Sequence, residues 1–190
     1  MVRVAVTDRT ETAPRTDRDR GDQLLLWAAT LFTVAVLIHN GDHLRRGVDS
    51  VSRQVFWVGT AGVLVEVGIV VLVCQRHRLA PVAAVAVGWS LAPAYVLVHF
   101  LPARSWLSDS FTSAHHASPL SWFAASLEVL AALVLGLAGW VVLQQRGGLA
   151  SAARPHEGQR PAREGFLHPV AAVMLAGNVI IVAVSLAQLA

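Results

Sequence analysis

The sequence predicts an all-α integral membrane protein: a five-transmembrane-helix bundle, N-terminus cytoplasmic, C-terminus extracytoplasmic. Three observations carry this. The apolar residues, 55% of 190, gather into five blocks, each matching the roughly 20 residues that a helix needs to cross a bilayer. Charged residues make up only 14% of the chain and the mean hydropathy is +0.55, where a soluble domain would carry about a quarter charged residues. The basic residues are all Arg, and eleven of the fifteen fall on one side of the alternating loops, an asymmetry that orients membrane proteins.

Each element follows in order. Residues 1–21 are polar, rich in Arg, Asp and Thr, and lack the apolar core of a signal peptide, so they read as a disordered cytoplasmic tail. The helices are expected at about 23–40, 55–74, 79–101, 119–143 and 167–189. Inside lipid the backbone must satisfy its own hydrogen bonds, which makes helix the realistic conformation for runs this apolar. Gly41 is expected to end the first helix. Pro81, Pro119 and Pro169 sit in first turns, where proline is tolerated. Pro93 lies inside the third helix and should kink it. The stretch 147–165 is rich in Gly, Ala, Arg and Pro and reads as a flexible cytoplasmic linker. Together, residues 22–190 form one transmembrane domain.

The N-terminal segment and the second and fourth loops hold the eleven Arg. The remaining four, Arg45, Arg46, Arg53 and Arg104, lie opposite. The rule of positive residues inside places the N-terminus in the cytoplasm. Trp27 and Trp140 then fall near the inner interface, and Trp57, Trp106 and Trp122 near the outer one, as aromatic belts would. The absence of Lys and the Ala- and Val-rich composition suggest a GC-rich bacterial genome and hence the bacterial cytoplasmic (inner) membrane. The net charge of +3 needs no nucleic acid, because the Arg residues flank apolar segments. Cys74 is the only cysteine, which excludes an internal disulfide or thiolate cluster.

Two polar layers stand out. His39, Asp42 and His43 are expected at the outer end of the first helix, His99 near the outer end of the third, and Asp109, His115 and His116 in the loop beyond. His39 and His43 are four residues apart and share a helical face if the helix persists. Neutral imidazole is a common ligand of zinc, copper, iron and nickel, and a carboxylate can complete the set or orient a ring from behind. His39, Asp42, His43, His99, His115 and His116 are therefore the candidate ligands for a divalent or copper ion. Haem b, with His39 and His99 as axial ligands, is the weaker alternative. Solvated interfacial histidine is the plain reading of each one alone.

The deeper layer is Glu66, Glu128 and Asn178, each nine to eleven residues into its helix and so near mid-membrane. Such a carboxylate must face the bundle interior and be protonated, paired or hydrated. Gly59 and Gly62, and the alanines around Glu128, are expected to mark close helix contacts. A structural clasp of Glu–Glu or Glu–Asn contacts is the plain reading, and a proton or cation role the functional one. On straight helices the two layers would lie roughly 10 Å or more apart. The expected function is binding or moving a metal ion or a proton. A membrane-embedded metal-dependent hydrolase and a non-catalytic subunit of a larger complex are the other readings, and a homo-oligomer or membrane partner is open. Walker, GxSxG and CxxC motifs are absent, which removes ATP-driven and serine-nucleophile mechanisms.

Overall fold

The computed structural model describes residues 17–102, 106–112, 117–148 and 168–189. The tail over 1–16, most of the expected linker (149–165) and the His115–His116 pair lie outside the described residues. What is described is helical, with no strand among the described residues. Five helical segments among the described residues are long and apolar enough to cross a membrane: α1 (Asp17–Arg46), α2 (Arg53–Cys74), α3 (Ala80–Tyr95) together with the π-helical turn that continues it to Phe100, α4 (Pro119–Gln145) and α5 (Pro169–Leu189). Their outward surface is apolar, with Leu64 70% and Ile180 61% exposed, whereas Glu66, Glu128, His39 and His99 are buried. An apolar outside around a polar interior is what lipid, as solvent, selects.

α1 departs most from expectation. It starts within the expected tail, at Asp17, and runs through Gly41 to Arg46. Asp17 and Asp19 in its first turn and His43, Arg45 and Arg46 in its last complement the helix dipole. The glycine that ends it is Gly47, at φ +84°, the left-handed position that glycine tolerates best. A glycine inside a helix costs about 1 kcal/mol relative to alanine. Here Asp42 offsets this, accepting from Arg45 at 2.7 Å and Arg46 at 3.0 Å across the last turn.

α2 is capped by Ser52, whose hydroxyl accepts from the Val55 amide. α3 takes Pro81 in its first turn and contains Pro93. Proline removes an amide donor from the ladder and crowds the turn before it. The helix relaxes into a π-helical turn over Val96–Phe100, which carries His99. α4 opens on a reciprocal capping box between Ser118 and Ser121.

α3 and α4 form the closest seam. A Cβ on Gly88 would lie 2.5 Å from the Ala132 carbonyl oxygen, and one on Gly139 would lie 2.7 Å from the Pro81 carbonyl oxygen. Phe32, Val36, Leu135 and Val142 fill the core between α1, α3 and α4. α5 is pinned to α1 by Asn40, whose amide donates to the Asn178 carbonyl oxygen at 2.7 Å.

Candidate metal centre beside a chamber in the bundle

His39, His43 and His99 converge. Each offers a ring nitrogen or equivalent ligand atom lying within 4.8 Å of the others. The persistence of α1 past Gly41 keeps His39 and His43 on one face, with their Nε2 atoms 2.9 Å apart. The π turn after Pro93 brings His99 onto them, its ring centroid 4.8 Å from that of His39.

The other ring nitrogens face carboxylates. His39 Nδ1 lies 3.4 Å from Glu128 Oε2, His43 Nδ1 lies 3.8 Å from Asp109 Oδ2, and His99 Nδ1 lies 3.5 Å from the same Asp109 oxygen. His99 Nδ1 also reaches the Asp109 backbone carbonyl at 3.2 Å. Carboxylates behind ligating imidazoles are the usual device for fixing ring orientation. The His39–Glu128 approach is an ion-pair distance without hydrogen-bond alignment, so both atoms remain without a hydrogen-bond partner.

Arg46 supports this end of the site. Its fully buried guanidinium binds Asp109 at 2.8 and 3.2 Å and Asp42 at 3.0 Å, and it lies over the Phe111 ring. Burial would raise the Asp109 carboxyl, but hydrogen bonds with His99 and Arg46 and the nearby Arg46 charge outweigh it. They hold the group below the usual carboxylate range. Arg46 Nη2 also approaches His43 Nδ1 at 2.9 Å. A guanidinium only donates, so His43 Nδ1 accepts and its Nε2–H points at His39 Nε2. His39 then carries its proton on Nδ1, toward Glu128. A metal at the three imidazoles requires His43 to move its proton to Nδ1 and Arg46 Nη2, now 2.9 Å from that nitrogen, to turn away, leaving the Asp109 carboxylate 3.8 Å off as the group it faces.

The second layer meets the first. The expected separation of roughly 10 Å is replaced by the 3.4 Å approach of His39 to Glu128. Arg45 donates to Ser118 and Ser121 at the start of α4, so the ends of α1 and α4 are level. His39 lies six residues inside that level and Glu128 lies seven inside Ser121, about 9 and 10 Å respectively. His39 looked superficial only because α1 was expected to stop at Asn40. Beyond Glu128, the Tyr95 hydroxyl donates to Glu66 Oε1 and also interacts with the Glu128 carboxyl. The polar interior thus runs His43, His39, Glu128, Tyr95, Glu66, drawn from four helices.

Several candidates fall elsewhere. Asn178 joins Asn40 and the Met174 carbonyl, not the glutamates. The Asp42 carboxylate is engaged by Arg45 and Arg46, outside the imidazole group. His77 and His168 accept from nearby backbone amides at the starts of α3 and α5. The His39 and His99 rings meet edge to face, which leaves no room for a haem macrocycle between them. Tyr95 and Arg46 were missed. Tyr95 sits four residues before His99, and Arg46 three and four residues after His43 and Asp42, so helical spacing alone would have found both.

The site opens into a cavity of about 360 Å³ between α1, α2, α3 and α5, lined by all three histidines, Glu66, Glu128 and Tyr95 and otherwise mostly by apolar side chains. Gly59 and Gly62 line it too, and a Cβ on either would meet nothing within 4 Å. They make room beside the polar groups instead of the close helix contact expected of them. No family model matches the chain, and no curated protein or solved structure matches it either.

Proposed function

We propose that this chain is a multi-pass protein of the bacterial cytoplasmic membrane, N-terminus inside, that holds a zinc- or copper-class metal ion on His39, His43 and His99. We further propose that Glu128, Tyr95 and Glu66 carry protons to and from that centre. One observation carries the reading: three buried imidazoles within ligand reach of one another, each with its second nitrogen toward a carboxylate. Three protein nitrogens are the donor set of catalytic zinc, which keeps a fourth position open for water or substrate. That position would face the chamber, which favours metal-dependent hydrolysis of a membrane-borne substrate as the second reading. The orientation rests on the Arg asymmetry.

The test is metal analysis with a visible absorption spectrum on the detergent-purified protein, beside the double variant His39→Ala, His43→Ala. Near-stoichiometric metal in the wild type and none in the correctly inserted variant is the expected result. Equal metal in both would remove His39 and His43 from the ligand set. A Soret band would replace the metal centre with haem.

A further inference from the structure

We propose that the chamber is a binding site for a single-chain lipid with an uncharged hydroxyl or carbonyl head. The proposal stands on four features of the cavity and does not require the metal.

The first feature is unpartnered polar atoms. Glu66 Oε2, Glu128 Oε2 and His39 Nδ1 are buried without a hydrogen-bond partner, and all three side chains line the cavity. A buried polar atom left without a partner is destabilising, so a ligand group that supplies one is stabilised there. A hydroxyl both donates and accepts, and a carbonyl accepts from a protonated carboxyl or an imidazole N–H. Either fits this mixed group.

The second feature is the absence of a cation. Among the described residues no Arg lines the cavity, and the chain has no Lys. Arg45 and Arg46, at the end of the helix that carries His39 and His43, are committed to Asp42 and Asp109. With no metal on the imidazoles, a phosphate or carboxylate head would meet two carboxyl groups with nothing to neutralise it.

The third feature is shape. About 360 Å³ is at the small end of ligand pockets, which run roughly 300–1,000 Å³, and suits one hydrocarbon chain. Its walls, apart from the polar end, are largely aliphatic. The fourth is access. Val58, Gly59 and Ala94 line the cavity and are themselves exposed, so it opens through the flank between α2 and α3. That flank is level with the apolar outer surface, from which a lipid enters laterally.

The test uses the full-length protein in detergent with a diazirine-bearing hexadecanol and the matching hexadecanoic acid, followed by photolysis and peptide mapping. The expected result, on protein treated with chelator, is saturable labelling of α2 near Val63 and of the π-helical turn near Val98 by the alcohol, with the acid at least about tenfold weaker. Gly62→Leu should lower the alcohol's affinity by about a hundredfold, since its side chain takes the space of about four ligand methylenes. Gly59→Leu serves if that variant misfolds. Labelling that is unsaturable, equal for the acid, or unchanged by both leucine variants would overturn the proposal. Comparing the labelling with and without chelation separates it from the metal reading. Wild-type protein that labels but never holds metal breaks only the metal centre, and protein that holds metal but never labels breaks only the chamber.

Discussion

The two sides of the bundle use glycine in opposite ways. Along the α3–α4 seam, Gly88 and Gly139 sit where a Cβ would strike a neighbouring backbone. On α2, Gly59 and Gly62 face open space at the chamber. A flat helix face allows a close neighbour, but it equally allows a cavity, and spacing along one helix does not distinguish them. The partner helix does. α4 presents Ala132, Gly136 and Gly139 to α3 and closes against it. Opposite α2 stand Tyr95, His99 and Glu128, polar groups that cannot interdigitate with aliphatic ones without losing their partners.

The largest effect should come from the polar plug that closes the tight side. Arg46→Met leaves Asp109 buried without its guanidinium, and leaves Asp42 with Arg45 alone. Removing one partner of a buried ion pair costs about 3–5 kcal/mol. Unfolding in detergent should show that loss, and bound metal should fall with it because Asp109 orients His43 and His99. Wild-type stability in this variant would mean that helix packing alone holds α1, α3 and α4 together.

Next in size is Gly88→Ala. The added methyl meets the Ala132 carbonyl and the Gly136 amide, atoms of a backbone that cannot rotate aside. Overpacking of this kind costs about 1–3 kcal/mol. A melting temperature unchanged from wild type would show that α3 and α4 stand further apart than the seam requires.

Much of this was legible in the sequence, and the failures share a cause. Five apolar blocks and the polar residues inside them were readable because lipid permits few alternatives. His39, His43 and His99 were readable as candidate ligands from residue type and spacing, and the structure brings these three together. Their depth was not, because Gly41 was given the helix end that belongs to Gly47, and six residues of helix carry His39 about 9 Å inward. Asn178 was misplaced for a related reason. Depth along α5 puts it near the glutamates, but its rotation about the helix axis turns it to Asn40, and rotation depends on which neighbour the helix packs against. Arg45 and Arg46 were counted as charges that set orientation, although their spacing from Asp42 and His43 already placed them in the site. The His39–Glu128 and Tyr95–Glu66 contacts join different helices, so no local pattern contains them.

The smallest effect has the most diagnostic sign. Gly62→Ala makes the same substitution as Gly88→Ala, but here the methyl meets nothing within 4 Å. What remains is the helix propensity, which favours alanine inside a helix by about 0.5–1 kcal/mol. The variant should therefore be slightly more stable than wild type in the detergent unfolding assay that shows Gly88→Ala to be weaker. Opposite signs for one chemical change, on two helices of one bundle, would establish that α2 borders a cavity in the folded protein. A loss of stability at Gly62 would mean that α2 closes against its neighbours. The polar groups of α3 and α4 would then have to find their partners on α2 itself, with no room for a ligand.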